Sequence, residues 1–167
     1  MKISERSVMK QNLTAQDIMN PEVMSVQQDL TVAELAAFLV DQEISGAPVE
    51  NELGKLVGVV SVTDIVRATS SGGERYAPDH DPSFYVRGWE DRIEAEDLDG
   101  FHFDDEGLLV RDIMTPSVFA VDAGTPVREV ARSMMDSHLH RMLVVRDDKV
   151  VGIVSTSDML QMVAEAC

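Results

Sequence analysis

At 167 residues, 44% hydrophobic and 26% charged, the chain suits one compact domain or two small halves sharing a core, and it is too apolar for wholesale disorder. A formal charge of −16 argues against nucleic acid and against a polybasic membrane contact, since both need basic side chains. No run approaches the ~20 apolar residues of a membrane helix, residues 1–10 lack the apolar core of a secretory signal, and the lone Cys167 forms neither an internal disulfide nor a thiolate cluster, so a reducing, cytoplasmic setting is expected.

Residues 1–13 form an N-terminal segment without a pattern of their own. At 17–26 the chain reads DIMNPEVMSV, a turn that predicts a short strand over 23–26. Thr31 followed by Glu34 has capping-box spacing. Val32, Leu35, Ala36, Leu39 and Ile44 then fall on one helical face. Two strands over 47–50 and 55–61 follow, joined by a turn at 51–54, and a second helix starts after Ser61.

Residues 71–109 differ in kind. Twelve acids stand against Arg75, Arg87 and Arg92, giving this segment −9 of the total charge. Its start reads as flexible. Residues 84–98 predict an acidic helix, with Trp89 and Ile93 four apart. A connection this long is usually functional or mobile, and Phe84, Tyr85 and Trp89 suit a segment that covers a cleft or docks a partner.

At 112–121 the chain reads DIMTPSVFAV and begins to repeat itself at an offset of 95. Val32 faces Val127, Glu34 faces Glu129, Asp41 faces Asp136 and Val49 faces Val144. One residue then drops out, and KLVGVVSVTDIV at 55–66 lies over KVVGIVSTSDML at 149–160. Matched ends joined by a matched middle mark an internal duplication. The same elements are therefore expected. They are a strand over 118–121, a helix striped by Val127, Val130, Ala131, Met134 and Leu139, strands over 142–146 and 149–154, and a helix after Ser155. Thr125 is expected to cap the first of these helices, with Pro126 at its first position. Asp147-Asp148 has hairpin-turn chemistry. One copy of about 50 residues cannot bury both faces of a three-stranded sheet, whereas two packed together can.

Each copy ends in the same motif, Gly58-Val-Val-Ser61-Val-Thr63-Asp64 and Gly152-Ile-Val-Ser155-Thr-Ser157-Asp158. A strand glycine admits a ligand or a neighbouring chain at close range. A carboxylate at the helix start can accept hydrogen bonds from a ribose diol, and a hydroxyl with free backbone N–H groups can meet a phosphate. Ser-x-x-Asp is equally close to a capping box, which a helix start needs in any case. Both readings stand, and different atoms can serve each.

Other constellations carry less. His138-x-His140 has short metal spacing but no second cluster. Asp79-His-Asp81 and Asp97-Leu-Asp99-Gly100 are fragments of calcium loops without the full ligand series. No Walker loop, no Gly-x-Ser-x-Gly elbow and no catalytic constellation is present, so the chain is not expected to be an enzyme.

A tandem repeat of this order resembles a pair of CBS (cystathionine β-synthase) domains, a Bateman module of small prokaryotic type. The DIM-x-P openings, the ISGAPV and HRMLVV strand entries and the two terminal motifs carry the resemblance. It implies an α+β fold of two βαββα repeats packed about a pseudo-twofold axis, with repeat 1 at 14–70, an acidic insert at 71–109 and repeat 2 at 110–167. It implies clefts between the repeats for an adenosine-containing ligand such as AMP, ADP, ATP or S-adenosylmethionine. No obligatory cofactor is implied, and Mg²⁺ beside a phosphate is left open.

By the same resemblance Asp64 and Asp158 take the ribose, while Ser61 and Ser155, with Thr63 and Ser157 beside them, take the phosphate side. Backbone at Ser25, Ala47, Pro48, Ala120 and Met142 recognises adenine. In adenylate-sensing members a His-Arg pair at the place of His140-Arg141 reaches phosphates, where arginine binds oxygens in pairs. The resemblance puts that pair at the Asp64 cleft and Ser45-Gly46 at the Asp158 cleft, so phosphorylated ligands are expected to bind more tightly at Asp64. A homodimer and a separate protein target complete the expectation. The alternative is a ligand-free scaffold or interaction module whose acidic insert binds a basic partner.

Overall fold

The computed structural model describes residues 12–70, 83–86, 95–98, 107–116 and 118–166. In chain order the elements are α1 (Ala15–Ile18), β1 (Val26–Gln27), α2 (Val32–Asp41), β2 (Gly46–Glu50), β3 (Leu56–Ser61) and α3 (Val62–Ser70). They continue with α4 (Ser83–Val86), a 3-10 turn (Ala95–Leu98), α5 (Val110–Ile113), β4 (Ala120–Asp122), α6 (Val127–Asp136), β5 (Arg141–Arg146), β6 (Lys149–Ser155) and α7 (Thr156–Ala166). The fold is α+β. It has two three-stranded sheets, ordered β1-β2-β3 and β4-β5-β6. In each sheet the first pair is parallel and the second antiparallel.

The duplication extends to local irregularities. Register slips between Val49 and Glu50 in one sheet and between Val144 and Val145 in the other. Glu43 and His138, each just beyond a helix end, both have left-handed backbone with φ of 54°. Asp147 and Asp148 sit at φ 53° and 64°, as a type I′ hairpin turn requires.

The chain forms two compact units, and they do not follow the two sequence copies. One holds residues 24–118. The other holds 1–23 together with 119–167. Each DIM-x-P opening therefore folds onto the sheet of the other copy. In the 24–118 unit Val59 and Thr115 exchange backbone bonds of 3.0 and 2.8 Å, and Arg111 reaches Asp29 at 2.6 Å. In the other unit Asn20 and Ile153 exchange bonds of 2.8 and 3.0 Å, and Arg146 donates to Gln16 at 2.6 Å. The outer strand of a three-stranded sheet would otherwise show unpaired N–H and C=O groups, and these segments cover part of it.

The first-copy unit is built on Leu35, Leu39, Val49, Val60, Ile65, Val110 and Ile113, with Leu98 from the insert in the same cluster. The second-copy unit buries Ala15, Val130, Met134, Leu139, Leu143, Val144 and Val154. Both helical stripes expected from sequence lie mainly inward; Ile44 and Ala131 are half-buried.

Four local expectations are corrected. The first strands lie later than expected, at Val26–Gln27 rather than 23–26 and at Ala120–Asp122 rather than 118–121. The unit boundary falls at 23/24, so Val23 still belongs to the other unit, and strand pairing starts only at Val26. Helix α2 has the predicted Thr31–Glu34 capping box, but α6 begins after Pro126, whose extended backbone (φ −57°, ψ 137°) makes it the N-cap. Thr125 instead bonds through its backbone to Asp122 and Ala15. The continuous helix expected over 84–98 is not what the described residues show. They form one helical turn at Ser83–Val86 and a 3-10 turn at Ala95–Leu98, while Trp89 and Ile93 lie outside the described residues.

Candidate functional site

The two terminal motifs form the junctions β3–α3 and β6–α7. At the first, the backbone N–H and the hydroxyl of Ser61 donate to Asp64 Oδ2 at 2.7 and 3.0 Å. At the second, the same groups of Ser155 donate to Asp158 Oδ2 at 2.7 and 2.8 Å. The N–H of Asp158 returns a bond to Ser155 Oγ at 3.3 Å, which completes a capping box. The capping role is therefore real at both ends. It engages a single carboxylate oxygen, and Asp158 Oδ1 accepts nothing from the described residues.

The motif glycines serve a neighbouring chain segment. A Cβ at Gly58 would lie 2.7 Å from the Thr115 carbonyl oxygen and 3.0 Å from Met114 Sδ. A Cβ at Gly152 would collide with Met19 Sδ and sit 3.0 Å from the Asn20 carbonyl oxygen. The opening motif of one copy and the terminal motif of the other are thus parts of one structural device.

Burial separates the junctions. Ser61, Thr63 and Asp64 are 6%, 7% and 3% exposed. Ser155 and Asp158 are half-buried, and Thr156 and Ser157 are exposed. Each junction is joined by its own copy's second strand. Gly46 pairs with Ser61, and the Ser45 carbonyl accepts from Val62 N–H at 2.9 Å. Arg141 pairs with Ser155, and the His140 carbonyl accepts from the N–H and hydroxyl of Thr156 at 2.9 and 3.1 Å. His140 itself is exposed and Arg141 half-buried.

The expected adenine-side residues divide in two. Ala47, Pro48 and Met142 are buried and pair with Val60, Val59 and Val154, next to the junctions. Ser25 and Ala120 are half-buried and lie by the first strands, where Val26 pairs with Val49 and Ala120 with Leu143. No group of three metal-binding side chains occurs among the described residues.

The model of the CBS domain matches residues 15–71 and again 110–165. The chain belongs to the CBS-domain family. Over 154 residues it is 30% identical to the Methanocaldococcus jannaschii protein MJ1426, covering 87% of this chain and 88% of that one. It is 28% identical over 156 residues to the chloroplastic CBSX2 of Arabidopsis thaliana, covering 89% of this chain but only 62% of that protein. The structure of CBSX2 in complex with AMP superposes with a TM-score of 0.62 at 25% identity, covering 92% of this CBS chain and 97% of that chain. The CBS domain pair of MJ0100, solved with 5′-methylthioadenosine and S-adenosyl-L-methionine, gives 0.61 at 22% identity over 93% and 98% of the two chains.

Sequence reasoning singled out the motif residues of this CBS pair and expected unequal clefts from Ser45-Gly46 against His140-Arg141, but it did not foresee the difference in burial between the two junctions.

Proposed function

We propose that the chain is a regulatory module that binds an adenosine-containing ligand at its strand-to-helix junctions and signals to a separate protein. The observation that carries this is the Asp158 junction. One carboxylate oxygen caps α7 while the other stays available, at a half-buried position with the exposed Thr156 and Ser157 beside it. A ribose diol needs such an acceptor. The N–H groups at the start of α7 favour a phosphate, and Arg141 on the adjoining strand adds positive charge. The ligands of CBSX2 and MJ0100, AMP and S-adenosylmethionine with methylthioadenosine, support the same ligand class.

Signalling requires only that the ligand bind one conformation better than another. The module performs no catalysis of its own in this reading, and a regulated activity resides in its target. Exposed Met135, Leu160 and Val163 on α6 and α7 support pairing with a second copy. No helix among the described residues is long and apolar enough to cross a membrane.

Thermal melting with AMP, ADP, ATP and S-adenosylmethionine, each with and without Mg²⁺, tests the proposal. Ligand at 100 times its Kd adds about 2.7 kcal/mol, which is roughly 5–10 °C for a chain of this size. Asp158→Ala should remove the shift. The competing reading is a scaffold, favoured by the capping role of both aspartates. It predicts no shift with any of these ligands, and lower stability as the only effect of Asp158→Ala.

A further inference from the structure

The aromatic pair of the insert lies at the first-copy junction. Phe84 and Tyr85 are 5% and 0% exposed, although the surrounding segment is the most acidic in the chain. Their rings meet edge to face, with centroids 5.0 Å apart and planes at 86°. A Cβ placed on Gly46 would come within 2.8 Å of the Val60 carbonyl oxygen, 2.9 Å of Phe84 Cδ2 and 3.4 Å of Phe84 Cε2. The Phe84 ring therefore packs against the bare backbone of Gly46, beside the Val60 carbonyl. Gly46 is the register partner of Ser61, the first polar residue of the junction, and α4 packs against β3, the strand that ends in Ser61.

The second copy provides an internal control. The register partner of Ser155 is Arg141, so no bare backbone is offered to an aromatic ring. There Ser155 and Asp158 remain half-buried and Ser157 is exposed, whereas Ser61, Thr63 and Asp64 are all buried.

We propose that Phe84 and Tyr85 form an internal plug of the first-copy junction, occupying ground that a ligand at Asp64 needs, so that the Asp158 junction loads first. This rests on the ligand-binding reading above and adds a competitor built into the chain. It also reverses the order of affinities expected from His140-Arg141. The energetics are those of a competent state that is only fractionally populated. If the unplugged state makes up about 1–10% of molecules, apparent affinity at Asp64 falls roughly 10- to 100-fold. The aromatic pair of the insert thereby sets the ligand concentration at which the second equivalent binds.

Isothermal titration of the full chain with AMP tests this in the Asp158→Ala background, where only the Asp64 junction remains. Adding Phe84→Ala and Tyr85→Ala should strengthen AMP binding there at least tenfold, and adding Asp64→Ala should then abolish it. Unchanged affinity on removing the aromatic pair, in a chain whose wild type binds AMP, overturns the plug and leaves the ligand-binding reading intact. Absence of AMP binding by both the wild type and the unplugged chain overturns the plug as a competitor of AMP, and the ligand-binding reading is then decided separately by the four-ligand panel. Amide exchange of the wild type covers the case of an unfolded variant. Saturating AMP should raise exchange over residues 83–86, and unaltered or slower exchange there contradicts the plug.

Discussion

Gly58→Ala tests how the opening segments are held. The added methyl group would stand 2.7 Å from the Thr115 carbonyl oxygen, a backbone atom that cannot swing aside, and 3.0 Å from Met114 Sδ. Relief requires the 112–116 segment to lift from β3, which breaks the Val59–Thr115 bonds of 3.0 and 2.8 Å. Two backbone bonds contribute about 1–3 kcal/mol together, and forced overpacking costs about 1–3 more. Replacing a glycine returns about 0.4–1 kcal/mol through the unfolded chain. The net loss is about 1–5 kcal/mol, or a fall in Tm of roughly 2–20 °C. Differential scanning calorimetry reads it, with Gly124→Ala as control, because a Cβ there meets only Asp122 Oδ1 at 3.4 Å. Amide exchange should localise the damage to residues 110–116. A Gly58→Ala chain melting within about 1 °C of wild type would refute the crossed docking of the openings.

Leu35→Ala, at a fully buried position, should cost about 2–5 kcal/mol by chemical denaturation. Glu34 and Asp17 are held below the ordinary carboxylate range, first by the backbone N–H of Thr31 and of Thr14 and then by the hydroxyls of the same residues. Their stabilisation is complete above the usual carboxylate pKa and is lost as pH falls through the lowered values. The Tm gap between wild type and Asp17→Asn/Glu34→Gln should therefore narrow on acidification, and a pH-independent gap contradicts the assignment. Asp147→Asn with Asp148→Gly should raise stability by about 0.5–1 kcal/mol, because both positions are left-handed and favour these residues. An unchanged melting curve would count against that turn.

The duplication made most of the fold legible. Leu35 and Leu39 recur as Val130 and Met134 at helical spacing, and each copy's hairpin has a turn of suitable residues. Partner assignment was not legible. DIM-x-P reads as the start of its own copy because it precedes it in the chain, yet it docks on the glycine of the other copy's terminal motif. Local patterns carry no information about which of two equivalent edges a segment will cover. The cap of α6 failed for a local reason: Thr125 precedes a proline whose extended backbone delays the helix by one residue. Spacing and family pattern singled out Ser61, Asp64, Ser155 and Asp158, and the structure places them at the two strand-to-helix junctions. Their unequal burial was not legible, since two nearly identical motifs differ only in what surrounds them. Phe84 and Tyr85 were visible as aromatics in an acidic stretch, but their seat on Gly46 depends on a contact spanning 38 residues.

The most direct test of the central claim is titration of the full-length chain with AMP and with S-adenosylmethionine, repeated on Asp158→Asn, which keeps an acceptor for the Ser155 cap. Saturable binding of at least one ligand by the wild type, weakened tenfold or more by Asp158→Asn at unchanged Tm, is the predicted result. Heats of dilution alone with both ligands, or binding that Asp158→Asn leaves untouched, would contradict it.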